Sequence, residues 1–340
     1  MFEDFWGNRA LAEALERMLE SGRIPQTILL AGPEGVGKAT LARRFAARLL
    51  GGKQSIEKDD LSRTENLDTI AGREKWPAEK RNEDPLLFAS YPDFVTFAPD
   101  GPLRQISIPQ MRLLKERAQF RPLKGHRRVF LIDQIDRAGE QAANSLLKTL
   151  EEPPAHLILL LTAANPYDLL PTIRSRSVWM HLAPLGDEEM RQFVASRQLD
   201  DVERRIALAQ GSPGLAVSLD LEAYDRRRAA MLTLLEAASG AAPFAAWVKY
   251  AESPASRQEK LEPLLRALYS LLEDLLLLQQ GVSGIRNADL REQLAALAGR
   301  VGFLWLRKAV AKVDELADLV RRNIQKSIAL DALVLELRPG

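Results

Sequence analysis

Gly32-Pro-Glu-Gly-Val-Gly-Lys38 places two outer glycines and a lysine at the spacing of a phosphate-binding loop, with Gly35 between them. The apolar run Thr27–Ala31 precedes it and the helical pattern Leu41–Leu50 follows it, which is the strand–loop–helix setting such a loop needs. Glycines at Gly32, Gly35 and Gly37 let successive backbone N–H groups converge on a phosphate. The helix N-terminus adds its positive end and Lys38 a full charge. An ordinary glycine-rich turn is the competing reading, and the lysine spacing weighs against it. One position departs from the pattern. Ala39 stands where a Ser or Thr hydroxyl would ligate Mg²⁺, and Thr40 lies about 100° further round the helix.

A second motif closes the apolar strand Arg128–Ile132, which ends in Asp133-Gln134-Ile135-Asp136. A carboxylate there helps hold Mg²⁺, and the next residue handles the attacking water. Gln134 can orient a water through its amide but cannot accept its proton at neutral pH. The chain has no cysteine, which excludes disulfides, thiolate catalysis and Cys-based zinc. Its three histidines (His126, His156 and His181) have no metal-ligand spacing, so no metal residue is assigned. Lys plus Arg total 47 against 46 for Asp plus Glu, a net charge of +1. A protein that held DNA tightly alone would carry a basic excess, so any nucleic-acid role is expected to be shared with partners.

The elements around these motifs alternate. A helix is expected over residues 9–21, then the phosphate-loop strand and helix. From Gly51 to about Asp84 the chain turns polar and reads as a loop-rich or partly disordered insertion, with Trp76 as a docking anchor or a packing residue. Tyr91–Phe97 reads as a strand, 108–119 as a helix opened by Pro109, 140–150 as a helix, and Leu157–Thr162 as a buried strand. This order implies a mainly parallel sheet with helices on both faces. Short helices follow at 187–199 and 201–210, closing at Gly211-Ser-Pro-Gly214. From Glu222 onward the pattern is helical, enough for a bundle of four or five helices. The fold class is α/β and then all-α. The 340 residues, 46% hydrophobic and 27% charged, describe a soluble multidomain chain. No apolar run is long enough to span a bilayer, so the cytoplasm is the expected compartment.

Asn144-Ser-Leu-Leu-Lys-Thr-Leu-Glu-Glu-Pro-Pro154, Leu170-Pro-Thr-Ile-Arg-Ser-Arg-Ser177 and the Gly7-Asn8 opening together resemble the clamp-loader branch of the AAA+ family, within it the bacterial delta-prime family of DNA polymerase III. The resemblance covers nearly the whole chain outside the polar insertion, and the segment from Arg322-Asn323 to Leu337 is similar to that family's last collar helix. It implies a nucleotide-binding-like AAA+ domain over 1–185, a helical lid over 186–221 and a helical collar or oligomerisation domain over 222–340.

The resemblance further implies that Arg176 is an arginine finger, reaching the ATP of a neighbouring subunit. A surface arginine paired with a local carboxylate is the plainer reading of that residue. Ser177 replaces the family's cysteine. Leu215 stands where active members carry an arginine that senses the γ-phosphate, and an alanine within Thr162–Asn165 stands at the strand-end sensor. The four-cysteine zinc module of many relatives is missing. Losing one preorganised electrostatic contact costs around 3 kcal/mol, so several losses leave absent or very weak ATPase. The implied protein is a stator subunit of a hetero-pentamer with gamma/tau motor subunits, the delta subunit, the sliding clamp and primer–template DNA. It would be a component of the DNA polymerase III holoenzyme, holding ATP or ADP without hydrolysis, Mg²⁺ weakly if at all, and no zinc. An active gamma/tau-like ATPase motor is the alternative, and a P-loop small-molecule kinase leaves the helical third unexplained.

Overall fold

The computed structural model describes residues 2, 5–253, 259–282, 284–320 and 325–338. The chain forms two compact units, Met1–Ser218 and Leu219–Gly340.

The first unit is built on a six-stranded sheet of order β2-β3-β4-β5-β1-β6. The strands are β1 (Thr27–Ala31), β2 (Phe88–Tyr91), β3 (Phe94–Phe97), β4 (Arg128–Ile132), β5 (Leu157–Ala163) and β6 (Val178–His181). All neighbours pair in parallel except β2 with β3. The expected α/β architecture is present. β1, β3, β4 and β5 are buried along their whole length, which is why each reads as a continuous apolar run.

Alternate residues of each strand feed opposite faces. Leu29, Phe130 and Leu159 pack on one side with Met111 and Leu114 of α6 (Ile108–Ala118) and Leu146 of α7 (Glu140–Glu151). Ile28, Leu131 and Leu160 pack on the other with Leu15 of α1 (Arg9–Ser21) and Leu41 and Phe45 of α2 (Lys38–Leu50). Because the central strands are parallel, Gly32, Asp133 and the end of β5 all emerge at one edge.

Three expectations change. Tyr91–Phe97 is an antiparallel pair around a turn, not one strand, because Pro92 lacks an N–H and Asp93 turns its carboxylate away to Leu123 N and Lys124 N, both at 2.7 Å. β6 and the helix α11 (Pro213–Ser218) were not foreseen. The polar stretch 51–84 is neither loop-rich nor disordered. It carries α3 (Lys53–Ile56), α4 (Thr64–Arg73) and α5 (Ala78–Glu83).

Charge takes the place of a large apolar core in that stretch. Buried Arg43 reaches Glu57 at 3.3 Å and Asp60 at 2.5 Å, and Asp59 accepts Ser90 N–H at 3.0 Å. Arg73 pairs with buried Asp100 at 2.7 Å and with Asp84 at 3.2 Å, while Ile70, Leu86 and Ala98 make a small apolar cluster beside it. Trp76 lies between Arg73, 4.5 Å from its ring centre, and Lys80 at 3.8 Å, so its packing is internal.

α8 (Pro171–Arg174) leads into β6, and α9 (Asp187–Ser196), α10 (Val202–Ala209) and α11 close the unit around Leu185, Met190, Phe193 and Ile206.

The second unit has six helices among the described residues: α12 (Leu221–Ala238), α13 (Phe244–Ala251), α14 (Leu261–Gln279), α15 (Arg291–Arg300), α16 (Phe303–Val320) and α17 (Lys326–Leu337). α14 packs against α12, α15 and α16. Its acid Asp274 is fully buried and accepts from Arg286 N, Asn287 N and Asn287 Nδ2 at 2.7–2.9 Å, which satisfies the charge inside the leucine-rich core. Pro254, Arg322 and Asn323 lie outside the described residues. No helix among the described residues is long and apolar enough to cross a membrane.

Arg73→Ala removes the partner of a buried carboxylate and should cost the first unit about 3–5 kcal/mol. Asp84→Asn, whose side chain is 70% exposed, should cost below about 1 kcal/mol. Urea midpoints of the two variants check this; equal shifts would contradict the ion-pair account.

Candidate nucleotide site

The loop between β1 and α2 has the backbone that phosphate binding requires: Gly35 and Gly37 lie at φ +78° and +97°, where a side chain is strained. Lys38 is buried and turned back onto the loop. Its Nζ donates to Gly32 O at 2.6 Å and Pro33 O at 2.7 Å. Burial pulls the Lys38 ammonium below its ordinary pKa, opposed by the negative charges of Asp133, Asp136 and Glu34.

Asp133 stands at the end of β4 with Thr162 beside it on β5. Thr162 Oγ1 donates to Asp133 Oδ1 at 2.5 Å and accepts the Gln134 N–H at 2.8 Å. That second bond holds Gln134 in a left-handed conformation, φ +57°. Burial pushes the Asp133 carboxyl above the usual carboxylate range, opposed by the Thr162 hydroxyl and by the charges of Arg43 and Lys38. Ala163 pairs with Ala31, and Ala164 offers its backbone N–H to Asp136 Oδ2 at 3.0 Å.

The helical segment after Leu185 closes over the loop. Gly214 N donates to Gly35 O at 2.8 Å. A Cβ on Gly35 would lie 2.8 Å from both Leu215 Cγ and Leu215 N; one on Gly214 would lie 2.9 Å from Gly35 O. On the other side, a Cβ on Gly37 would lie 3.0 Å from the Phe5 ring. Sequence reasoning found Leu215 only as a missing arginine. Its contact with the loop, and those of Phe5 and Thr162, join residues far apart in the chain and leave no local signal.

The donor set fits a phosphate group in part. The glycine backbone and Lys38 are suitable, although Lys38 must first leave its two carbonyls. It does not fit the magnesium of a hydrolysing site: Ala39 has no ligand atom, Thr40 lies off the loop axis, and Asp133 spends an oxygen on Thr162. No cluster of three or more metal-ligating side chains occurs among the described residues.

Arg176 follows α8 in this same unit. Its guanidinium pairs with Glu151 Oε1 at 2.8 Å and donates to Thr172 O at 3.1 Å, and its side chain is 34% exposed. Glu151 ends α7, so the Asn144–Pro154 and Leu170–Ser177 blocks meet through this ion pair. Gly32, Gly35, Gly37, Lys38 and Asp133 belong to one constellation, and Arg176 bonds to a different set of residues on the surface.

Family models extend these observations to most of the chain. Residues 7–186 match the family described as DNA polymerase III, delta subunit, and residues 222–338 match that described as DNA polymerase III, delta subunit, C terminal. The chain belongs to the DNA polymerase III delta-subunit family. It is 30% identical over 262 residues to the subunit delta' of Escherichia coli, covering 74% of this chain and 76% of that one. It is 28% identical over 324 residues to the subunit delta' of Pseudomonas aeruginosa, covering 91% and 90%. The tau/gamma subunit of Haemophilus influenzae matches at 29% over 57% of this chain, which spans 25% of that relative's length. Among solved structures, a gamma subunit-related protein of Thermotoga maritima aligns over 96% of this chain and 98% of its own at 18% identity and TM-score 0.46.

The raised Asp133 pKa gives a signed pH dependence. The folded state holds this proton more tightly than the unfolded state, so the contribution is fully present below the unfolded value of about 4 and is lost as pH rises through the folded value. Asp133→Asn should therefore raise the melting temperature at neutral pH, with the gain shrinking as pH falls toward about 4. Melting curves across pH 4–8 check this; a gain that grows on acidification would contradict it.

Proposed function

We propose that this protein is a non-hydrolysing, delta-prime-like subunit of the bacterial clamp loader. Its own nucleotide site holds phosphate weakly or not at all, and Arg176 serves the ATP of a neighbouring gamma/tau-type motor subunit. There the guanidinium would stabilise charge developing on the transferring phosphoryl group. The helical second unit, as the collar, would join the assembly that loads a sliding clamp on primer–template DNA, with the delta subunit as a further member.

The observation that carries this reading is the contrast between the two sites. Lys38 is consumed by its own loop and Ala39 offers no metal ligand, whereas Arg176 stands at the surface on a hydrogen-bonded mount. Glu151 is half exposed, so its ion pair with Arg176 is weakly held and can be exchanged for a more strongly charged phosphate. Family membership supports the choice of assembly.

Arg176→Ala in the reconstituted assembly should leave complex formation intact and slow ATP turnover at the adjoining site by roughly a thousandfold. Single-turnover hydrolysis at that site measures it, and an unchanged rate removes the finger assignment.

A further inference from the structure

β6 ends the sheet, so one backbone edge of it has no neighbouring strand, and Val178 and Trp179 on it are 42% and 41% exposed. Such an edge is ordinarily blunted or covered. Beside it stands Tyr167, 73% exposed. Tyr167 and Trp179 meet edge to face, with ring centres 6.2 Å apart and planes at 84°. The Arg174 guanidinium stacks on both, 5.5 Å from Tyr167 and 5.9 Å from Trp179. Trp179 Nε1 donates to Arg174 O at 2.8 Å, which fixes the indole. Two large rings and a cation are thus held rigid at the surface before any partner arrives.

We propose that Tyr167, Arg174 and Trp179 form the anchor by which this unit docks on the nucleotide-binding face of the neighbouring motor subunit. The inference rests on the reading of Arg176 given above and adds the surface that carries affinity. Trp, Tyr and Arg are the side chains that dominate binding energy at protein interfaces, and rigid ones lose least on docking. Arg176 lies between Arg174 and β6 in the same α8–β6 connection, so a partner whose phosphate meets Arg176 must also cover the rings. Two guanidiniums around an apolar centre are complementary to a surface where phosphate or carboxylates border apolar side chains.

A nucleic-acid strand could stack on the same rings. Asp168 and Glu151 lie in the same stretch of surface and would repel its phosphates, which favours the protein partner.

The test uses the full chain with its gamma/tau subunit. Trp179→Ala and Tyr167→Ala should each weaken association by about ten- to a hundredfold. Turnover lost in these variants should be recovered by adding more of the variant, whereas Arg176→Ala should not be rescued by concentration. Circular dichroism melting of each variant, with Trp179→Phe as the conservative partner, separates misfolding from lost docking. Unchanged affinity in both folded variants overturns the anchor and leaves the finger reading standing. If the variants bind the subunit normally but lose affinity for primer–template DNA, the anchor is likewise overturned, with the patch reassigned to nucleic acid. Weakened association together with normal turnover in Arg176→Ala keeps the anchor and removes the finger.

Discussion

One backbone hydrogen bond, from Gly214 N to Gly35 O, joins the helical segment to the middle of the phosphate loop. Backbone atoms come this close only because neither residue has a Cβ. With that contact made, Leu215 rests against the loop and Lys38 satisfies its ammonium on Gly32 O and Pro33 O. A buried ammonium needs such partners, since leaving one unpaired costs more than most single contacts return. Phosphate binding would have to replace all of these at once, without the metal hydroxyl that Ala39 lacks.

The two halves of the chemistry respond to different constraints. The nucleotide constellation is internal: Asp133, Thr162 and Gln134 are tied to one another, and burial raises the carboxyl's pKa. Arg176 is at the surface, and its partners Glu151 and Thr172 O orient the guanidinium without burying it. A group that acts on another chain must stay accessible and yet be aimed. Short bonds from local atoms achieve the aiming at little desolvation cost.

Local chemistry made part of this legible in the sequence. Strand, glycine loop and helix are consecutive, so Gly32–Lys38 declared its geometry, and the buried parallel strands followed from continuous apolar runs. Asp274 was readable as an acid in a buried helix, but the loop amides that satisfy it were not. The order of 51–84 was missed because composition counts charges without showing which ones pair. Arg73 with Asp100, and Arg43 with Asp60, turn a polar stretch into packed structure. β6 was missed because it is an exposed edge and lacks the apolar run of the central strands. Gly35 with Gly214 and Glu151 with Arg176 are tertiary contacts that no local period encodes.

The central claim is that the chain's own nucleotide site does not turn over. Calorimetric titration of the purified chain with ATP, with and without Mg²⁺, paired with steady-state hydrolysis, addresses it most directly. Binding that is weak and indifferent to magnesium, with no turnover above background, is the expected result. Brisk magnesium-dependent hydrolysis that disappears in Lys38→Ala would contradict it.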